Sequence, residues 1–105
     1  RHGHADTLNL MEQDGNTIGI PVPQLPVSVG SGRREPDGQR ADLPVHARGV
    51  SRIHCIFSKE GPFIRINDNG SKNGTCVNGE SITSEVLCEG DRLQIGEVEF
   101  TVVRG

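Results

Sequence analysis

Four short stretches hold the side chains with which this chain could do chemistry: Gly32-Arg33, Ser51-Arg52, His54 just beyond them, and Lys72-Asn73. A guanidinium, a hydroxyl, an ammonium and a carboxamide on turn-rich segments are what a phosphomonoester on a peptide needs. The first three serve the phosphate oxygens, and the amide holds the adjoining main chain. The densest segment lies at 68–79, where Asn69-Gly70, Asn73-Gly74 and Asn78-Gly79 each signal a tight turn, because both residue types tolerate positive φ. Turns so crowded exceed what strand connection requires and suit a surface that grips an anion or a peptide backbone. Plainer readings stand beside these. Asn73 could be a turn residue alone, Ser51 a cap on its own loop, and Arg52 and Lys72 solvated charges.

Catalytic chemistry finds little to work with. His54 and Cys55 are neighbours on a predicted strand, so their side chains should point to opposite faces and cannot form a thiolate–imidazolium pair. A buried structural cysteine is the better reading of Cys55. The carboxylates are scattered over turns and strand exteriors. Gly70-Ser71-Lys72-Asn73-Gly74-Thr75 lacks the Gly-Lys-Ser/Thr order of a nucleotide-binding P-loop. No catalytic residue, cofactor or metal is expected, since His2 and His4 lack a preorganised partner.

Composition narrows the class further. At 105 residues the chain is one domain with one core, and no segment is apolar enough to span a membrane or direct secretion. Residues 1–6 are expected to be a disordered end or cloning remnant, and 7–105 a single domain. Cys55, Cys76 and Cys88 are odd in number and irregularly spaced, which argues against a disulfide framework and for a reducing, intracellular compartment. The net charge of −3 conceals an asymmetry: residues 33–72 carry eight of the 11 bases and a local balance of +3, while the remainder carries −6. A basic face on an acidic body suits a small anionic ligand, not a nucleic acid. Phe57, Phe63 and Phe100 are the only aromatics, too few to stack single strands.

The elements that must position these groups read as strands. Alternation predicts strands at Thr7–Met11, Thr17–Ile20, Val27–Val29 and Asp42–Val45. Pro21, Pro23 and Pro26 mark an edge or a connection, and 34–40 is the longest predicted loop. Ile53, Cys55 and Phe57 share one strand face, with His54 and Ile56 on the other. Lys59-Glu60-Gly61-Pro62 turns into a strand bearing Ile64 and Ile66. Leu87, Leu93 and Ile95 flank the turn Glu89-Gly90-Asp91, and Val98, Phe100 and Val102 point inward from a last strand. No window shows a capped helical period, and the strand spacing predicts a β-sandwich.

The order Gly-Arg, Ser-x-x-His, Ser-x-Asn-Gly-Thr, Asn-Gly and Gly-Asp-x-Leu-x-x-Gly, spread over about residues 27–103, resembles the forkhead-associated (FHA) domain. The resemblance implies an all-β, two-sheet antiparallel sandwich whose loops at one end bind phosphothreonine peptides. By position, Arg33 and Ser51 would contact the phosphate with Arg52 and Lys72 assisting, and Asn73 would bond the peptide main chain. Asn78 and Arg48 would stand at the site's edge, while Gly32, His54, Gly74 and Thr75 would be structural. Two registers are open at the first motif, since Gly30-Ser31 could replace Gly32-Arg33. The implied partner is a phosphothreonine-containing protein or peptide, with no nucleic acid or membrane, and with homodimerisation left open. The family leans to the nucleus over the cytoplasm. The alternative is an FHA-like domain without phosphate binding that serves as a structural or oligomerisation surface.

Overall fold

A computed structural model of the chain describes residues 7–103. The expectation for residues 1–6, and the histidines within them, lie outside the described residues. The described part is built from strands. β1 (Thr7–Glu12) and β2 (Thr17–Pro21) form a hairpin, and a single 3-10 turn at Val22–Gln24 follows where the prolines interrupt the ladder. β3 (Val27–Gly30) and the two-residue β4 (Leu43–Pro44) come next, separated by the long loop. β5 (Cys55–Glu60) and β6 (Phe63–Asp68) make a hairpin across Gly61-Pro62. Then come three strands of three residues, β7 (Thr75–Val77), β8 (Glu80–Ile82) and β9 (Ser84–Val86), before β10 (Arg92–Ile95) and β11 (Val98–Val103).

Two sheets result, one in the order β2-β1-β11-β10-β7-β8 and the other β4-β3-β5-β6-β9. Their inner faces share one core, to which the first sheet gives Leu8, Leu10, Leu93, Ile95 and Phe100, and the second Val29, Cys55, Phe57 and Ile66. Period-two alternation explains the sorting: in β11 Phe100 and Val102 turn inward, and in β6 Ile66 is wholly buried while Phe63 is left exposed. The pairings are antiparallel except one, because β3 and β4 run parallel with Val29 opposite Leu43. The Asp42 carboxylate fixes that pair, accepting from the amide and the hydroxyl of Ser28 at 3.0 and 3.2 Å, while the Asp42 amide donates to the Ser28 hydroxyl at 2.9 Å.

The sequence reading differs at two places. Ile53 and His54 precede β5 instead of lying in it, so His54 is not on a strand face opposite Cys55. It is fully buried all the same, in the turn leading into the strand. The hairpin strands β7, β8 and β9 add edges to both sheets from a region in which no strand was expected.

Topology decides where the loops gather. β3, β6 and β10 all end at the same end of the sandwich, so the loops 31–42, 45–54 and 69–74 and the Gly96-Glu97 turn converge there. Cross-loop bonds knit them: the Ser31 amide donates to the Ser51 carbonyl at 3.0 Å, the His54 amide to Val29 at 2.8 Å, and the Asn69 amide to the His54 carbonyl at 2.9 Å. Gly30 permits this closure, since a Cβ there would stand 1.7 Å from the Arg52 carbonyl oxygen. Gly30→Ala is therefore expected to destabilise the fold by about 1–3 kcal/mol through overpacking, read as a lower midpoint in urea at unchanged slope.

Candidate phosphopeptide-binding site

The converging loops enclose an open groove of about 790 Å³, and Ser51 is part of its lining. Ser51 is held from behind by His54. The Ser51 amide donates to Nδ1 of the buried imidazole at 3.0 Å, and Nε2 lies 2.8 Å from the Gly74 carbonyl oxygen. A carbonyl can only accept and the amide can only donate, so the ring is neutral with its proton on Nε2. One side chain thus ties the 45–54 loop to the 69–74 loop. Both ring nitrogens are committed, and neither serves as a base for Cys55. Burial, and then the charge of Asp68, pushes the Cys55 thiol up to about 12, away from any thiolate chemistry.

The second loop is built on Asp68. Its Oδ1 accepts from the hydroxyls of Ser71 at 2.5 Å and Thr75 at 2.7 Å, and its Oδ2 from the Ser71 amide at 3.1 Å. Burial by itself would raise the carboxyl; the hydrogen bonds from the Ser71 and Thr75 hydroxyls and from the Ser71 amide prevail and hold it below its ordinary range. This carboxylate shapes the turn from which Lys72 and Asn73 project. The Lys72 amide donates to Ser51 Oγ at 3.0 Å, which leaves the serine O–H proton free to donate into the groove. Asn73 Nδ2 donates to the Gly49 carbonyl at 3.0 Å, leaving Oδ1 and one amide proton for a ligand. Asn73 is thus more than a turn residue, because it also clamps the neighbouring loop.

Arg33, Arg48 and Lys72 line the same groove, their side chains exposed, and none has an ion-pair partner among the described residues. No carboxylate lines it. Ser31 lines it as well; its hydroxyl accepts from the Arg33 amide at 3.3 Å. Both registers of the first motif therefore open onto the groove. Arg52 stands on the turn beside Ser51, but it is not part of the lining.

Asn78 is not brought to the site. It follows β7 at the end away from Thr75, and there, at φ 52, it bridges to the β9–β10 turn. Its Nδ2 donates to Asp91 Oδ1, and its Oδ1 accepts from the Arg92 amide, both at 3.0 Å. Asn73 and Asn78 share an Asn-Gly signature but lie at opposite ends of a three-residue strand.

Three residues of the site region have roles that the sequence did not announce. His46 lines the groove. Gly49 and Gly96 pack backbone to backbone, a Cβ on Gly96 falling 2.6 Å from the Gly49 carbonyl carbon, and the Glu97 amide donates to the Arg48 carbonyl at 3.0 Å. The last hairpin turn thus buttresses the loop that carries Arg48. Gly96 was visible as the end of the Gly-Asp-x-Leu-x-x-Gly motif, whereas nothing marked His46.

Comparison with known proteins agrees with this architecture. The family model described as the FHA domain matches residues 27–96. The glycogen accumulation regulator GarA of Mycolicibacterium smegmatis is 40% identical over 75 residues, which cover 71% of this chain and 46% of that protein. The chain spans about half the length of the curated relatives it matches. A domain solved in a study of phosphothreonine-dependent FHA domain interactions superposes with a TM-score of 0.77 at 27% identity, covering 94% of this chain and 97% of that one. EmbR of Mycobacterium tuberculosis, solved with a low-affinity phosphopeptide, gives 0.76 at 27% identity over 98% of this chain and 26% of that one.

Two outcomes test the scaffold. His54→Ala removes both loop ties and opens a void, and should cost about 2–4 kcal/mol in chemical denaturation. Asp68, with its folded value depressed, adds stability that is complete above the ordinary aspartate value of 3.8 and is lost as pH falls through the lower folded value. The stability gap between wild type and Asp68→Asn should therefore be flat near neutrality and narrow as pH drops below 3.8.

Proposed function

The chain belongs to the forkhead-associated family, and on that premise we propose that the end-loop groove binds phosphothreonine peptides and makes this domain a phosphorylation-dependent interaction module. The observation that carries the reading is the groove itself. Around the Ser51 hydroxyl stand cationic side chains without an ion-pair partner among the described residues, on loops fixed from behind by His54 and Asp68. Arg33 and the Ser51 hydroxyl grip the phosphate, with Lys72 beside them. Asn73, anchored through Gly49, offers Oδ1 to a peptide N–H. Arg48 stands where it can meet the residues flanking the phosphothreonine.

Each charge-assisted hydrogen bond to a phosphate contributes roughly 1.5–3 kcal/mol, so an unphosphorylated peptide forfeits most of the affinity. EmbR bound to a phosphopeptide and the study of phosphothreonine-dependent interactions support carrying this chemistry to the present chain. We assign the domain to a larger regulatory protein that recognises a phosphorylated protein partner, in keeping with a relative named as a regulator. The named relatives are bacterial, and a nuclear address draws no support from them. A phosphate-independent interaction surface is the competing reading, and it rests on Ser31, which directly follows β3 while Arg33 lies two residues farther out.

Fluorescence anisotropy with a phosphothreonine peptide and its unphosphorylated twin separates the two. Phosphate-dependent binding should weaken at least about tenfold in Ser51→Ala and in Arg33→Ala. Asn78→Ala should instead cost about 1 kcal/mol of stability, with affinity unchanged. Equal binding of both peptides, or indifference to both site substitutions, favours the competing reading.

A further inference from the structure

We infer that His46 is a phosphate-binding residue of this groove, donating an imidazole N–H beside Arg33 and adding a positive charge when protonated. The inference rests on the phosphothreonine reading above and adds a ligand that none of the recognised motifs contains. His46 is exposed, lies five residues before Ser51 on the same loop, and lines the groove that Arg33, Ser51 and Lys72 share. Its ring nitrogens have no hydrogen-bond partner among the described residues.

The ring is nevertheless placed. It packs against the backbone of Gly32, where a Cβ would come within 2.6 Å of Cε1 and 3.1 Å of Nδ1. Gly32 has φ +88, a conformation that favours glycine, and the missing side chain is what lets the imidazole lie against the segment leading into Arg33. A ring so seated, with both nitrogens uncommitted, differs from the buried His54, whose nitrogens are both engaged.

Its surroundings set the sign of a pH effect. The charged groups sharing the groove are Arg33 from the β3–β4 loop, Arg48 from the histidine's own loop and Lys72 from the β6–β7 loop, with no carboxylate among them. A phosphate dianion bound beside the imidazole favours its charged form. Binding is then coupled to proton uptake, and its histidine contribution is fullest at low pH and fades as pH rises. The phosphate titrates in the same range, with a second pKa of about 6. Comparing wild type with a non-titrating variant on one peptide cancels the ligand's own titration.

The experiment measures the Kd of one phosphothreonine peptide, otherwise free of ionisable side chains, for wild type, His46→Gln and His46→Lys at about pH 6, 7 and 8. Wild type should bind more tightly than His46→Gln by about fivefold to tenfold at the lowest pH and by less than about twofold at the highest. His46→Lys, a permanent cation, should match wild type at low pH and surpass it at high pH. Equal affinity of wild type and His46→Gln throughout, or a ratio indifferent to pH, overturns the inference. If binding still requires the phosphate and Ser51, the assignment of the groove survives that result. If wild type does not distinguish the phosphorylated peptide from its unphosphorylated twin, both readings fall together.

Discussion

The site depends on one buried imidazole. His54 accepts from the Ser51 amide and donates to the Gly74 carbonyl, so the loops that enter and leave the β5–β6 hairpin are held at a fixed separation. An apolar residue of similar size could fill the space but would leave a buried N–H and a buried C=O without partners, at about 1–3 kcal/mol each. Lysine or arginine could not accept the amide proton. The neutral ring, with one acceptor and one donor nitrogen, meets both demands. Everything that faces the groove, including the Ser51 hydroxyl, the Lys72 amide beneath it and the Asn73 clamp on Gly49, is referenced to that bridge.

Behind the cationic surface lies a division of labour between acids and bases. Asp68, Asp42 and Asp91 are each consumed by hydrogen bonds that shape turns or pair strands. The bases at the groove are left without partners among the described residues. Loops that would otherwise need their cations for internal ion pairs are shaped by aspartates and hydroxyls instead. That leaves Arg33, Arg48 and Lys72 available to an anion at little reorganisation cost, which is the physical content of a preorganised site.

Much of the sandwich was legible in the sequence because period-two alternation survives wherever a strand runs four residues or more. Val98, Phe100 and Val102 are the clearest instance. The three-residue strands β7, β8 and β9 were not legible, since one or two inward positions do not make a period. The parallel pairing of β3 with β4 was hidden for a different reason: it is fixed by the Asp42 carboxylate reaching across to Ser28, a contact that spacing does not announce. In the site, Ser51, His54 and Asn73 stood out through residue type and order. Asn78 carried the same Asn-Gly mark and proved to be a staple, because its fate depends on which end of β7 it occupies. His46 went unnoticed because its place is set by Gly32, fourteen residues upstream and on another loop.

The most direct measurement is an NMR titration of the isotope-labelled chain with a phosphothreonine peptide, following backbone amides. The account predicts saturable shifts concentrated at 31–33, 46–51 and 72–73, with the Ser51 and Lys72 amides among the largest, and none from the unphosphorylated peptide. Shifts centred on the exposed Met11 or Phe63, or identical shifts from both peptides, would contradict it.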